Sequence, residues 1–153
     1  MTMANPLRFT SLADAEAELA ALEKAESPTL AGPWSLAKVL DHCAASIEYS
    51  LSGYPRNKPA LVRATIGPLV LGHFRRKGFL SHDRSADIPG DAAPPDADVP
   101  RALARLRRAI ADFQASSGDL APHFVYGKTS KAAYDHVHAM HVADHLSAID
   151  YPR

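Results

Sequence analysis

Apolar residues recur every three or four positions in four long stretches of this chain, the pattern of helices that each turn one face to a core. In the first stretch Leu12, Ala15, Leu19 and Leu22 keep that spacing. Ser11 stands where it can cap the helix, with Asp14 three residues on in capping-box position, and an end is expected near Glu26, ahead of Ser27-Pro28. A second stretch follows Gly32 and Pro33 and places Leu36, Val39, Leu40, Cys43, Ile47 and Leu51 on one arc, ending near Leu51. Ser35 reads as its N-cap and Trp34 as a hydrophobic staple for Val39. The third begins around Pro100, whose fixed φ suits a first helical turn. It turns Leu103, Leu106, Ile110 and Phe113 inward and leaves Arg101, Arg105 and Arg108 on a wet side, with Gly118 as the expected C′ residue. The fourth runs from Ser130 to Ile149.

The segments between these helices are less regular. Gly53 to Pro59 is rich in turn residues, and the stretch from Ala60 to His82, broken by Gly67, Pro68 and Gly72, predicts one or two short helices. Its run Arg75-Arg76-Lys77 suits a helix C-terminus, where cations meet the negative end of the dipole. An anionic ligand or a membrane surface is the alternative use of such a run. Ser85 to Pro100 holds four prolines and predicts an irregular surface loop. No stretch predicts a strand, and no internal repeat is visible. Four amphipathic helices in 153 residues predict an all-α four-helix bundle, one domain over residues 1–153.

Composition narrows the function classes. Seventeen basic and seventeen acidic residues cancel, so the positive field needed to hold nucleic acid is missing. One cysteine, Cys43, makes no internal disulfide and falls on the core side of its helix, as packing. No apolar run approaches the length of a membrane span, and Met1 to Thr10 does not read as a secretion signal. A soluble cytoplasmic protein is expected.

The candidate chemistry lies in the last helix, where four of the eight histidines, His136, His138, His141 and His145, fall within ten residues. At about 100° per residue, His138, His141 and His145 share the arc of Tyr134, Val137, Val142 and Ile149, and His136 points away. His141 and His145 stand one turn apart, a spacing at which two imidazoles can hold the same ion. The ordinary use of a histidine on an apolar face is a hydrogen-bonded place in the core. Three side by side would each need partners for both ring nitrogens, a need that one metal ion meets. His42, at the edge of the second helix's apolar arc beside Ser46 and Tyr49, is placed to supply a third ligand or to sit half-exposed at that boundary. Metal sites in bundles are assembled from inward side chains of facing helices in this manner.

Trp34-Ser35-Leu36 with His42, then Glu48-Tyr49, Gly53-Tyr54-Pro55, His123-Phe124-Val125-Tyr126-Gly127 and the His141-x-x-x-His145 pair resemble the DinB/YfiT-like metalloenzyme superfamily. The likeness covers about Leu30 to Ile149 and is nearest to a branch described only as a domain of unknown function. It implies an up-down-down-up bundle, often a homodimer, with nickel or zinc held by His42, His141 and His145. Better understood relatives in that superfamily are thiol-dependent S-transferases and an isomerase that use low-molecular-weight thiols. A small-molecule substrate, and by analogy a thiol, are therefore the expected partners. His138 has no assigned counterpart in the resemblance; it is a candidate proton carrier beside the ion or a fourth ligand. Tyr49, Tyr126 and Tyr134 are candidate substrate contacts. The competing expectation is a non-catalytic bundle in which the histidines are structural, or a metal only ties helices together and function lies in dimerisation.

Overall fold

Two serines begin the helices that carry the site. In the computed structural model, which describes residues 6–88 and 98–153, Ser35 Oγ accepts from Lys38 N at 3.1 Å and Ser130 Oγ from Ala133 N at 3.2 Å. Each satisfies an amide that the first helical turn leaves without a partner.

Six helices occur among the described residues: α1 (Ala13–Lys24), α2 (Leu36–Ser52), α3 (Ala60–Ala64), α4 (Ile66–Lys77), α5 (Val99–Ala115) and α6 (Lys131–Leu146). The fold is mostly helical; the stretch from Ala60 to His82, expected to give one or two short helices, gives the five-residue α3 and the twelve-residue α4, which runs through Gly67, Pro68 and Gly72 instead of breaking at them. The expected loop from Ser85 to Pro100 is without helix over its described residues 85–88, residues 89–97 lie outside the description, and α5 has begun by Val99. Asp98, not a residue nearer Pro100, caps α5 by accepting from Arg101 N at 2.7 Å.

The core forms where α2 packs along α5 and α6, with α1 set against α5 and α6. The predicted inward residues Leu103, Leu106, Ile110 and Phe113 are all buried there, as are Leu12, Leu19, Leu40, Ile47 and Cys43. Burial also pushes the Cys43 thiol pKa well up, which suits packing and not reactivity.

Several local expectations are corrected. Ser11 does not cap α1, because the boundary residue is Leu12, one position later. Asp14 makes the other half of a capping box: its Oδ2 accepts from the amides of Thr10 and Ser11 at 2.8 and 3.1 Å, contacts that lower its pKa. Gly118 is not a left-handed C′ residue; α5 ends at Ser116 in extended geometry. A strand pair also exists, β1 (Thr29–Leu30) antiparallel to β2 (Ile149–Asp150), so α6 stops at Leu146, short of the expected Ile149.

Arg101 and Arg105 are not simply a wet face. Arg101 Nη2 reaches Asp41 Oδ2 at 2.5 Å, Arg105 Nη1 reaches Asp41 Oδ1 at 2.9 Å, and Arg105 also forks onto Glu48 at 2.9 and 2.7 Å. Asp41 is fully buried, so its charge needs both partners. Arg108 alone of the three stays away from Asp41, its side chain 84% accessible and 3.8 Å from Asp112.

Candidate metal centre

His42 sits at the middle of α2, immediately after the clamped Asp41, and is 2% exposed. His141 and His145 approach it from successive turns of α6. The Nε2 atoms of His42 and His141 face each other at 3.2 Å, and the three ring centroids are 4.7–5.0 Å apart. One nitrogen from each histidine lies within 4.8 Å of the other two. His145 Nε2 is buried without a hydrogen-bond partner. Trp34 backs the group, edge-on to the His42 ring at 5.0 Å and parallel to the His145 ring at 6.2 Å. The indole placed on sequence as a staple thus also walls the histidines.

This arrangement suits a cation. Burial, with neighbouring imidazoles second, holds His141 well below the ordinary histidine pKa and His145 down at about 2, so both rings are neutral at physiological pH. Neutral imidazoles with converging nitrogens offer lone pairs and no counter-charge, the donor set that divalent zinc, nickel or copper takes. Ligand nitrogens about 2.0–2.1 Å from a tetrahedral ion stand about 3.3 Å apart, near the His42–His141 separation.

Residues that the sequence did not single out complete the surroundings. His82, in the coil after α4, brings its ring to 5.3 Å from His141 and 5.2 Å from His145. Its Nδ1 lies 3.2 Å from Asp144 Oδ2, and Arg84 holds the other oxygen of that carboxylate at 2.8 Å. A histidine four residues past the Gly78 stop, beside an acid-base pair, was the only signal, and no periodicity aims such a side chain.

The other candidates separate. His138 is buried but lies outside the trio, its ring parallel to Tyr134 at 5.1 Å and perpendicular to Phe113 at 5.4 Å. Tyr134 is not free to contact a substrate by its hydroxyl, which donates to Ala121 O at 2.6 Å. Tyr49 packs its ring 5.7 Å from Tyr54. Tyr126 lines a cavity of about 330 Å³ that also borders His42, His82, His138 and His141. His136 is half-buried and apart from the group, as its position on the helix predicts.

No helix among the described residues is long and apolar enough to cross a membrane. No curated protein and no solved structure shows a significant match to the sequence. A family model does, over residues 1–151, and by that match the chain belongs to DUF1569, described as a protein of unknown function.

Proposed function

We propose that this protein is a metal-dependent enzyme of the DinB/YfiT-like superfamily, built as an up-down-down-up bundle, with a divalent ion, nickel or zinc, held by His42, His141 and His145. The observation that carries the reading is the meeting of three buried imidazoles from two helices far apart in sequence, within 4.8 Å of one another. His42, His141 and His145 would hold the ion, which when bound would supply Lewis acidity toward a water or thiol at neutral pH. The chain's own part is to aim the ligands and shape the space beside them. The Asp41 clamp fixes α2 next to His42, Trp34 closes one side, and the 330 Å³ cavity on the other gives a small molecule room against His42 and His141.

Transfer involving a low-molecular-weight thiol, in the cytoplasm, is the reaction class that best fits this resemblance. The homodimer it implies has a surface to use, since Leu61, Ile66 and Leu69 on α3 and α4 are 58–75% exposed. The test is metal content of protein purified without a histidine tag, together with thiol transfer to an electrophilic test substrate. One ion per chain, lost in His141→Ala along with turnover, is expected; full metal retention in that variant overturns the site.

His82 favours one competing reading. Its ring stands within 5.3 Å of two members of the trio, so a rotation of the coil would offer a fourth imidazole and close the coordination sphere, as in structural zinc sites. In that case the ion ties helices together and no turnover accompanies it.

A further inference from the structure

The cavity beside the three histidines contains one donor whose tautomer the backbone dictates. The turn that starts at His123 closes on itself, His123 N donating to Gly127 O at 2.8 Å and Gly127 N to His123 O at 3.0 Å. Inside the turn His123 Nδ1 accepts from the amides of Val125 at 3.1 Å and Tyr126 at 3.2 Å. A nitrogen that accepts two N–H groups carries no proton, so in the neutral ring the proton sits on Nε2. Burial holds the His123 pKa at about 3, so the neutral form is the working form.

The ring is fixed as well as its proton. It stacks on Tyr126 with centroids 4.2 Å apart and planes 12° from parallel, and it meets Tyr54 edge-on at 5.1 Å. His123 is 7% exposed and lines the cavity, and no acceptor for its Nε2–H occurs among the described residues. With Nδ1 taken up inside the turn and no protein acceptor at Nε2, an acceptor on an incoming molecule has a fixed donor to meet at the cavity wall. Phe74, Leu80, Ile88, Phe124 and Val137 give the wall its apolar part, and Ser46, Lys58 and Asp87 add polar side chains to it.

We propose that this cavity is the substrate pocket and that it takes a compact apolar molecule, aromatic in size, bearing a carbonyl oxygen that accepts from His123 Nε2–H. His123 is on this reading a specificity-determining contact, and the identification of the occupant as a substrate rests on the metalloenzyme reading above. The volume suits such a molecule, being at the lower end of about 300–1,000 Å³ for small-ligand sites.

A matched probe pair tests this. Para-fluoroacetophenone carries the carbonyl and para-fluoroethylbenzene has nearly the same size and shape without it; fluorine NMR titration reads both affinities on the protein as purified. The ketone is expected to bind about five-fold more tightly, the effect of one completed hydrogen bond. In His123→Asn the amide oxygen stands in for Nδ1 and keeps the turn, while the Nε2 donor is gone, so the two probes should bind alike in protein that still unfolds cooperatively, at a melting temperature lowered by the lost ring packing. His123→Gln, whose amide nitrogen reaches the Nε2 position, should restore the preference.

A ratio near one in the wild type overturns the proposal, even where one metal ion per chain is bound, and so does a preference that survives in His123→Asn. A preference lost in His123→Asn but present in protein that takes up no metal upholds the ligand contact and removes the metalloenzyme reading instead.

Discussion

His42 and His141 are 99 residues apart in sequence, and their Nε2 atoms meet at 3.2 Å in the interior. Two imidazole nitrogens at that distance either share one proton or direct both lone pairs at a cation. With His145 Nε2 buried nearby and unpaired, a hydrogen bond between the first two leaves the third unsatisfied. An ion among the three would satisfy all of them.

The clamp beneath this group should be measurable in stability. Asp41 is fully buried, and its two arginines are partly exposed. Replacing Arg101 and Arg105 together by alanine strands the carboxylate and should cost about 3–5 kcal/mol in urea unfolding. Asp41→Asn, which keeps a hydrogen-bonding group of the same shape without its charge, should cost about 1–2 kcal/mol. Equal costs for the two changes would mean that the buried charge is not what the arginines serve.

Close backbone approach holds the His123 turn against α4. A Cβ on Gly67 would sit 2.2 Å from Val125 O and 2.9 Å from Tyr126 Cα, while one on Gly72 in the same helix would meet nothing within 4 Å. Gly67→Ala should therefore destabilise by about 1–3 kcal/mol through overpacking. Gly72→Ala should stabilise by about 0.4–1 kcal/mol by restricting the unfolded chain. Thermal melts of the two variants should move in opposite directions; movement in the same direction contradicts the packing.

Stability should fall on mild acidification. Burial holds both His123 and His138 at about 3, below the ordinary histidine value near 6.5, so the unfolded chain takes up protons that the folded one refuses. The stability these two rings contribute is present above about pH 6.5 and is lost as pH falls toward 3. Each adds a slope of about 1.4 kcal/mol per pH unit in that window. Denaturation followed from pH 6.5 to 5, above the main carboxylate range, should show the loss, and His138→Phe should reduce the slope by about one proton. A flat profile in the parent protein would contradict the burial of these rings in neutral form.

Much of the three-histidine cluster is legible in the sequence because it rests on helical geometry. His141 and His145 are joined by one turn of α6, and the apolar arc of α2 brings His42 to the side that faces them. His82 lies beyond that kind of reading: it follows the Gly78 stop, where no periodicity sets direction. Arg101 and Arg105 fall on the polar arc as predicted, yet position on a helix does not reveal that Asp41 waits opposite. The pairing of Thr29–Leu30 with Ile149–Asp150 is two residues long, too short for any alternation to show. The donor tautomer of His123 depends on two amides inside a turn, which only the folded backbone aligns.

X-ray absorption at the metal edge counts the imidazoles directly. Zinc-loaded protein should show three of them about 2.0–2.1 Å from the ion, and His42→Ala should show two. One imidazole or none in the wild type, or an unchanged count in His42→Ala, would contradict a centre shared between α2 and α6.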